Sequence, residues 1–129
     1  MTMRGKLLIV EDQPDIRKLI RMTLEFEGYD LLEAENGTQG LNIARAARPA
    51  VILLDVMMPG ELDGYQVCTL IKGDVDLKDT RIIMLTARGQ QTDLEHGRKA
   101  GCDAYLTKPF SPLELIDTID RLAPVSAAA

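Results

Sequence analysis

The sequence predicts an α/β domain in which a doubly wound parallel sheet carries helices on both faces. Short, wholly apolar runs alternate five times with amphipathic stretches, and strands that are apolar throughout indicate a sheet covered on both sides. The chain has 129 residues, enough for one core but too few for an eight-stranded barrel built from the same units. We therefore expect one domain over residues 1–123 and a flexible tail over residues 124–129.

The five predicted strands are the apolar runs bounded by polar or turn-forming residues. They are expected at Lys6–Val10, Tyr29–Glu33, Ala50–Leu54, Arg81–Leu85 and Asp103–Leu106.

The first three helices are predicted from their start and stop signals. Pro14 suits the first turn of the first helix, and Gly28 is expected to end it. Asn36 and Asp63 are expected to cap the second and third helices. The apolar residues at helical spacing, which we expect to be buried, are Ile16, Leu19, Ile20 and Leu24 in the first helix, Leu41, Ala44 and Ala47 in the second, and Val67, Leu70 and Ile71 in the third.

The last two helices differ in the strength of their signals. The fourth, over residues 90–100, is weakly specified because Leu94 is its one large apolar residue. The fifth opens with Ser111-Pro112-Leu113-Glu114, a pattern typical of a capping box with proline in the first turn.

Composition excludes several classes of function. The chain has 15 basic and 20 acidic residues, a net charge of −5, so no basic field is present for direct nucleic-acid binding. No apolar run approaches the roughly 18 residues of a membrane span, and no signal-peptide pattern is present. Cys68 and Cys102 are interpreted as reduced thiols. These observations favour a cytoplasmic protein that does not contact the membrane.

Polar side chains follow four of the five predicted strands, at the edge where ligands bind in open α/β sheets. They are Glu11 and Asp12 after the first strand, Asp55 after the third, Thr86 after the fourth and Lys108 after the fifth; Ala87 directly follows Thr86, and Pro109 directly follows Lys108. Any single acid here could simply cap the next helix. The set as a whole points to a site.

A cluster of carboxylates would need a cation. If the first and third strands are neighbours, Glu11, Asp12 and Asp55 share one pocket, and two such charges about 4 Å apart repel by roughly 4 kcal/mol at an effective dielectric near 20. Oxygen ligands without nearby histidine or cysteine favour magnesium, with manganese as a substitute. Asp55 beside the metal is equipped to be a nucleophile in phosphoryl transfer, with Lys108 and the Thr86 hydroxyl placed to neutralise the moving group.

The ordered motifs resemble the receiver domains of bacterial response regulators, over Lys6 to about Leu122. Those motifs are Glu11-Asp12, Asp55 with Met58-Pro59-Gly60, Asp63-Gly64, Thr86-Ala87 and Lys108-Pro109-Phe110. The resemblance implies a flavodoxin-like sheet in the order 2-1-3-4-5. It also implies that the domain accepts a phosphoryl group from a histidine kinase or a histidine phosphotransfer protein.

The resemblance also implies a role for each matching position. Asp55 matches the phosphoacceptor, and Glu11, Asp12, Asp55 and the backbone carbonyl of Met57 match the magnesium ligands. Thr86, Ala87 and Lys108 match the phosphoryl-binding groups, Thr86 and Tyr105 the switch pair, and Lys108–Pro109 a cis peptide bond. Phosphorylation is then expected to alter the face formed by the fourth helix, fifth strand and fifth helix. The implied partner is a downstream protein effector or an output domain, with the chain a monomer or a weak phosphorylation-dependent dimer.

Two features depart from the family pattern. The acid pair is Glu-Asp where Asp-Asp is commoner, so we expect Asp12 to be the direct metal ligand and Glu11 to act largely through water. Asp63 lies eight positions after Asp55, one more than is usual, which adds Glu61 to the loop. Glu61 is interpreted as a solvated loop charge, with tuning of metal binding or of intrinsic dephosphorylation as the alternative.

Two other classes of function compete with this interpretation. An aspartate-nucleophile phosphatase would need a second aspartate two residues after the nucleophile, where this chain has Met57. A degenerate receiver that acts only as a constitutive interaction module is opposed by the presence of Asp55, Thr86 and Lys108. Under the favoured interpretation the domain is not an enzyme acting on a separate substrate, although slow self-dephosphorylation is expected.

Overall fold

Five strands and five helices alternate along the chain in a computed structural model, which describes residues 4–87 and 91–122 except for the side chains of residues 91–94. The strands are β1 (Lys6–Val10), β2 (Asp30–Ala34), β3 (Val51–Asp55), β4 (Arg81–Thr86) and β5 (Ala104–Thr107). The helices are α1 (Pro14–Leu24), α2 (Gly37–Ala47), α3 (Gly64–Lys72), α4 (Gln91–Ala100) and α5 (Pro112–Leu122).

The strands form one parallel sheet in the order β2-β1-β3-β4-β5, which confirms the predicted fold class. Strand β1 lies between β2 and β3, so that Val10 pairs with Ala34 on one side and Leu54 on the other. The strand order reverses at β1, and the ends of β1 and β3 meet there. This is the topological switch point at which such sheets bind ligands.

The apolar strands are buried on both faces of the sheet. In β1, Leu8 and Val10 belong to one core cluster, whereas Leu7 and Ile9 belong to the other. Helices α2, α3 and α4 cover the first cluster, and α1 and α5 cover the second. Because successive strand residues point to opposite faces, a strand packed on both faces is apolar at every position.

The three predicted helix caps are present. The side chain of Asn36 accepts a hydrogen bond of 2.8 Å from a backbone N–H in the first turn of α2. Asp63 and Gln66 form a reciprocal capping box at the start of α3, and Ser111 and Glu114 form the same pair of bonds at α5. Each cap satisfies backbone donors that the first turn of a helix leaves free.

Several element boundaries differ from the prediction by one residue. Strands β2, β3 and β5 begin one residue later than predicted, and β4 continues through Thr86. Asp103 stands just before β5; its backbone N–H donates a 2.8 Å bond to the carbonyl of Ile82, and its carboxylate accepts a 2.8 Å bond from the Ile82 N–H and forms a 2.8 Å ion pair with Lys72. The prediction that Gly28 ends α1 was wrong: the helix ends at Leu24, and Gly28, with φ of 89°, lies in the turn that follows.

Two leucines that we predicted to be buried are exposed. Leu19 is 49% and Leu70 41% exposed. Helix α3 buries Cys68 together with Val67 and Ile71, so the buried stripe is rotated away from Leu70. The spacing of apolar residues locates the buried stripe of a helix only to within about one residue. Contacts with the sheet decide which of the neighbouring residues are buried.

Two predictions lie outside the described residues: the tail over 124–129 and the start of the fourth helix at residue 90. In the described part of the chain, no helix has the length and apolar character needed to cross a membrane.

The close approach of α3 to the end of β3 depends on Gly64. A Cβ at this position would meet the carbonyl oxygen of Asp55 and would lie 2.8 Å from the Cα of Val56. Both are backbone atoms that cannot move aside. We expect Gly64→Ala to lower the free energy of unfolding by about 2 kcal/mol, as measured by urea denaturation.

Gly73→Ala is the matched control. The φ of Gly73 is −83°, and a Cβ at this position would lie 3.3 Å from its nearest neighbour, a carbonyl oxygen. We expect its stability to stay within about 1 kcal/mol of the wild type. Equal stability of the two variants would contradict the steric argument.

Candidate functional site

Three carboxylates meet at the carboxyl edge of the sheet. Glu11 and Asp12 directly follow β1, and Asp55 is the last residue of the neighbouring strand β3. One carboxylate oxygen from each of the three residues lies within 4.8 Å of the others. Glu11 is fully buried and Asp55 is 4% exposed, whereas Asp12 is half-buried.

Lys108 supplies the positive charge beside this cluster. Its Nζ lies 2.6 Å from Oε1 of Glu11 and 3.3 Å from Oδ1 of Asp55. The backbone N–H of Lys108 donates a 2.6 Å hydrogen bond to the carbonyl of Thr86 at the end of β4. The peptide bond between Lys108 and Pro109 is cis. One ammonium group is thus shared by two carboxylates, and among the described residues Asp12 has no cationic partner.

The site retains an excess of negative charge. Burial raises the pKa of Asp55 above its ordinary value, and contact with the Glu11 carboxyl raises it further, although Lys108 acts in the opposite direction. Three carboxylates beside one ammonium, all offering oxygen ligands, form a donor set that suits a small divalent cation such as magnesium. The residues present therefore fit the metal that the sequence predicts.

Thr86 brings an unsatisfied hydroxyl group to the end of β4. The residue is 1% exposed, and its Oγ1 has no hydrogen-bond partner among the described residues. A buried hydroxyl without a partner costs roughly 1–3 kcal/mol, so native structures seldom keep one without a functional reason. Ala87, the next residue, is exposed.

Two other predicted site residues lie at the margins of this cluster. Met57 is 74% exposed, and its backbone N–H lies 3.4 Å from Oδ1 of Asp55. Tyr105 is half-buried on β5, where it pairs with Met84. A Cβ at Gly97 would lie 2.6 Å from Cε1 of Tyr105, so the tyrosine ring packs directly on the backbone of α4.

The additional loop residue Glu61 is exposed and shares a polar groove with Asp12 and Asn36.

We also find a contact that sequence reasoning missed. Arg17 of α1 donates a 2.8 Å hydrogen bond from Nη1 to the backbone carbonyl of Glu11. The one signal for it in the sequence is a basic residue near the start of the helix that follows the acid pair.

Comparison with known proteins places this chain in a family. The family model described as "Response regulator receiver domain" matches residues 7–120. The transcriptional regulatory protein SrrA of Staphylococcus aureus is 44% identical over 120 residues, which are 93% of this chain and 48% of SrrA. The chain therefore spans about half the length of the curated relatives it matches.

Solved structures show the same architecture. The chemotaxis response regulator CheY4 of Vibrio cholerae superposes with a TM-score of 0.87 at 34% identity, covering 94% of this chain and 99% of that one. The receiver domain of the sensor histidine kinase PA1611 from Pseudomonas aeruginosa, which has a magnesium ion in its active-site cleft, gives a TM-score of 0.85 at 34% identity over 92% and 97% of the two chains. The family match covers nearly the whole sequence and these folds agree with the observed sheet, so the chain belongs to the receiver-domain family of two-component response regulators.

Proposed function

We propose that this chain is a phosphoacceptor receiver in which Asp55 takes up a phosphoryl group in a magnesium-dependent reaction. The domain comprises residues 1–123, and the phosphodonor is a histidine kinase or a histidine phosphotransfer protein. The observation that carries the proposal is the buried Asp55 carboxylate, which lies between two further acids and the ammonium group of Lys108. This arrangement combines a nucleophile, a set of metal ligands and a cation for the transferred charge.

In the proposed reaction an oxygen of Asp55 attacks the phosphorus of a phosphohistidine. The new P–O bond forms as the P–N bond breaks, and the bonding electron pair stays on the histidine nitrogen. Lys108 is 3.3 Å from Oδ1 of Asp55 and neutralises charge on the transferred oxygens. The Thr86 hydroxyl and the backbone N–H of Ala87 donate hydrogen bonds to the same oxygens. In slow self-dephosphorylation, water attacks the phosphorus of the aspartyl phosphate; the P–O bond to Asp55 breaks, inorganic phosphate leaves and the carboxylate is restored.

The residues that would hold the metal are Asp12, Asp55 and the backbone carbonyl of Met57, with Glu11 acting largely through water. Glu11 is suited to this indirect role because Lys108 already occupies one of its oxygens at 2.6 Å. When bound, magnesium neutralises and aligns the phosphoryl oxygens, and manganese can take its place. Glu61 is an exposed charge of the loop.

The output of the reaction is a change of surface. Thr86 turns toward the phosphoryl group, Tyr105 moves inward, and the α4-β5-α5 face changes for a partner. This partner is a downstream protein or an output domain, and the domain is a monomer or a weak dimer. SrrA is a transcriptional regulator about twice as long as this chain, which supports an output domain as the partner.

We place the protein in the cytoplasm, where its free thiols Cys68 and Cys102 stay reduced.

The first test is intact-mass analysis after incubation with acetyl phosphate. We expect one added phosphoryl group on the wild type with magnesium, none after chelation, and none on Asp55→Asn. Asp63→Asn is the matched control, because it removes a nearby carboxylate while asparagine still caps α3; we expect it to be labelled normally. A wild type labelled by neither acetyl phosphate nor a histidine kinase would favour the constitutive interaction module.

The raised pKa of Asp55 predicts how the free energy of unfolding depends on pH without divalent ions. An acid whose pKa is higher in the folded than in the unfolded state stabilises the fold fully only below its unfolded value, about 3.9. That contribution is lost as pH rises through the folded pKa. We expect Asp55→Asn to be more stable than wild type at pH 7 and the difference to shrink toward pH 4.

Urea denaturation at a series of pH values measures this difference. Asp79→Asn changes an exposed carboxylate before β4 and controls for the loss of one surface charge. A stability gain in Asp55→Asn that is the same at every pH would show that the charge of Asp55 is not its cause.

The unsatisfied hydroxyl of Thr86 predicts opposite effects for two similar substitutions. Thr86→Val removes a hydroxyl without a partner and should stabilise the resting protein by about 1 kcal/mol. Thr80→Val removes a hydroxyl that donates a 2.9 Å bond to the Pro49 carbonyl and should destabilise it by a similar amount. Thr86→Val should also bind beryllofluoride, a phosphoryl analogue, about tenfold more weakly. A loss of stability in both variants would contradict this role for Thr86.

A further inference from the structure

The guanidinium group of Arg17 joins three parts of the structure near the acidic cluster. Nη1 donates a 2.8 Å hydrogen bond to the backbone carbonyl of Glu11, and Nε lies 3.2 Å from Oε1 of Glu33 on β2. Nη2 lies 3.8 Å from Oε1 of Glu35. The side chain of Arg17 is 15% exposed, whereas those of Glu33 and Glu35 are 34% and 71% exposed, so the bond to the Glu11 carbonyl is the most sheltered of the three contacts.

The carbonyl that accepts the bond from Arg17 belongs to the peptide group joining Glu11 to Asp12. Because a peptide group is planar, fixing its oxygen also fixes the orientation of the nitrogen and Cα of Asp12. Glu11 lies in the loop between β1 and α1. On the other side of this β1–α1 loop, the N–H of Glu11 donates a 3.1 Å bond to the carbonyl of Ala34. The backbone of Glu11 is thus held from both sides, by β2 and by Arg17.

We propose that Arg17 is a positioning residue that orients the Glu11–Asp12 peptide for magnesium binding. This inference rests on the proposed function of the site. Glu33 and Glu35 hold the guanidinium group in place, and the guanidinium group holds the Glu11 carbonyl in the β1–α1 loop. Arg17 does not touch the metal or the phosphoryl group, and it acts through Asp12.

The sign of the expected effect separates positioning from simple electrostatics. Arg17 carries a positive charge beside a site for a divalent cation, so the loss of that charge alone would tighten magnesium binding. The loss of the hydrogen bond would instead leave the Asp12 backbone free to reorient, and that loosening weakens binding. The two explanations therefore predict opposite changes in the dissociation constant.

Arg21 provides a matched control. It lies on the same helix, one turn further on, and its Nη1 is 2.8 Å from Oε2 of the same Glu33. Arg21 forms an ion pair with Glu33, whereas the hydrogen bond to the Glu11 carbonyl comes from Arg17. Arg21→Ala therefore removes an equal charge and an equal partner of Glu33 while leaving the bond to Glu11 intact.

The experiment is calorimetric titration of the whole chain with magnesium chloride. We expect Arg17→Ala to bind magnesium about tenfold more weakly than the wild type, and Arg21→Ala to stay within about twofold. Arg17→Lys, which keeps the charge but loses the planar fork, should be weakened in the same direction. At saturating magnesium the rate of labelling by acetyl phosphate should recover to within about twofold in Arg17→Ala.

Unchanged or tighter magnesium binding by folded Arg17→Ala would overturn the inference, as would equal weakening in Arg21→Ala. If Arg17→Ala does not fold, as judged by urea denaturation, Arg17→Lys decides by the same criterion. A wild type that neither binds magnesium nor is labelled at Asp55 would overturn the proposed function as well. Normal labelling of the wild type with unaltered magnesium binding in Arg17→Ala overturns the inference alone.

Discussion

The ammonium group of Lys108 shared between Glu11 and Asp55 is the interaction on which the site depends. It lies 2.6 Å from one carboxylate and 3.3 Å from the other. Without it, carboxylates about 4 Å apart would repel each other by roughly 4 kcal/mol at an effective dielectric near 20. Lys108 follows the edge strand β5, and its backbone N–H bonds to the end of β4. The charge balance beside β1 and β3 therefore depends on the correct pairing of the edge strand β5 with β4.

The sheet makes this arrangement possible because its centre is rigid. Each of the middle strands is packed on both faces, and the two core clusters hold every residue of β1 between Leu7 and Val10. Side chains at the ends of such strands are placed by backbone pairing rather than by flexible loops. The acids gain a fixed geometry, and the surrounding loops remain free to differ among relatives.

Two features of the resting site oppose stability. The pKa of Asp55 is raised, chiefly by burial, so the fold holds a carboxylate in a place that disfavours its charge. The Thr86 hydroxyl is buried without a partner among the described residues. A buried ionisable group and a buried polar group without a partner are both typical of functional sites. Tyr105, whose ring packs on Gly97 of α4, stands on the same side of the sheet as Thr86 and links the site to the proposed output face.

The sequence by itself determined the features that arise within a few residues of each other. The caps at Asn36 and Asp63, the apolar strands and the polar residues at the strand ends are all local signals, and all are present. The tertiary structure alone decided that Lys108 pairs with Glu11, that Arg17 holds the Glu11 carbonyl, and that Leu70 is exposed. Lys108 and Glu11 are 97 positions apart, and no local pattern encodes such a contact. It exists only once strand order and helix rotation are fixed by packing.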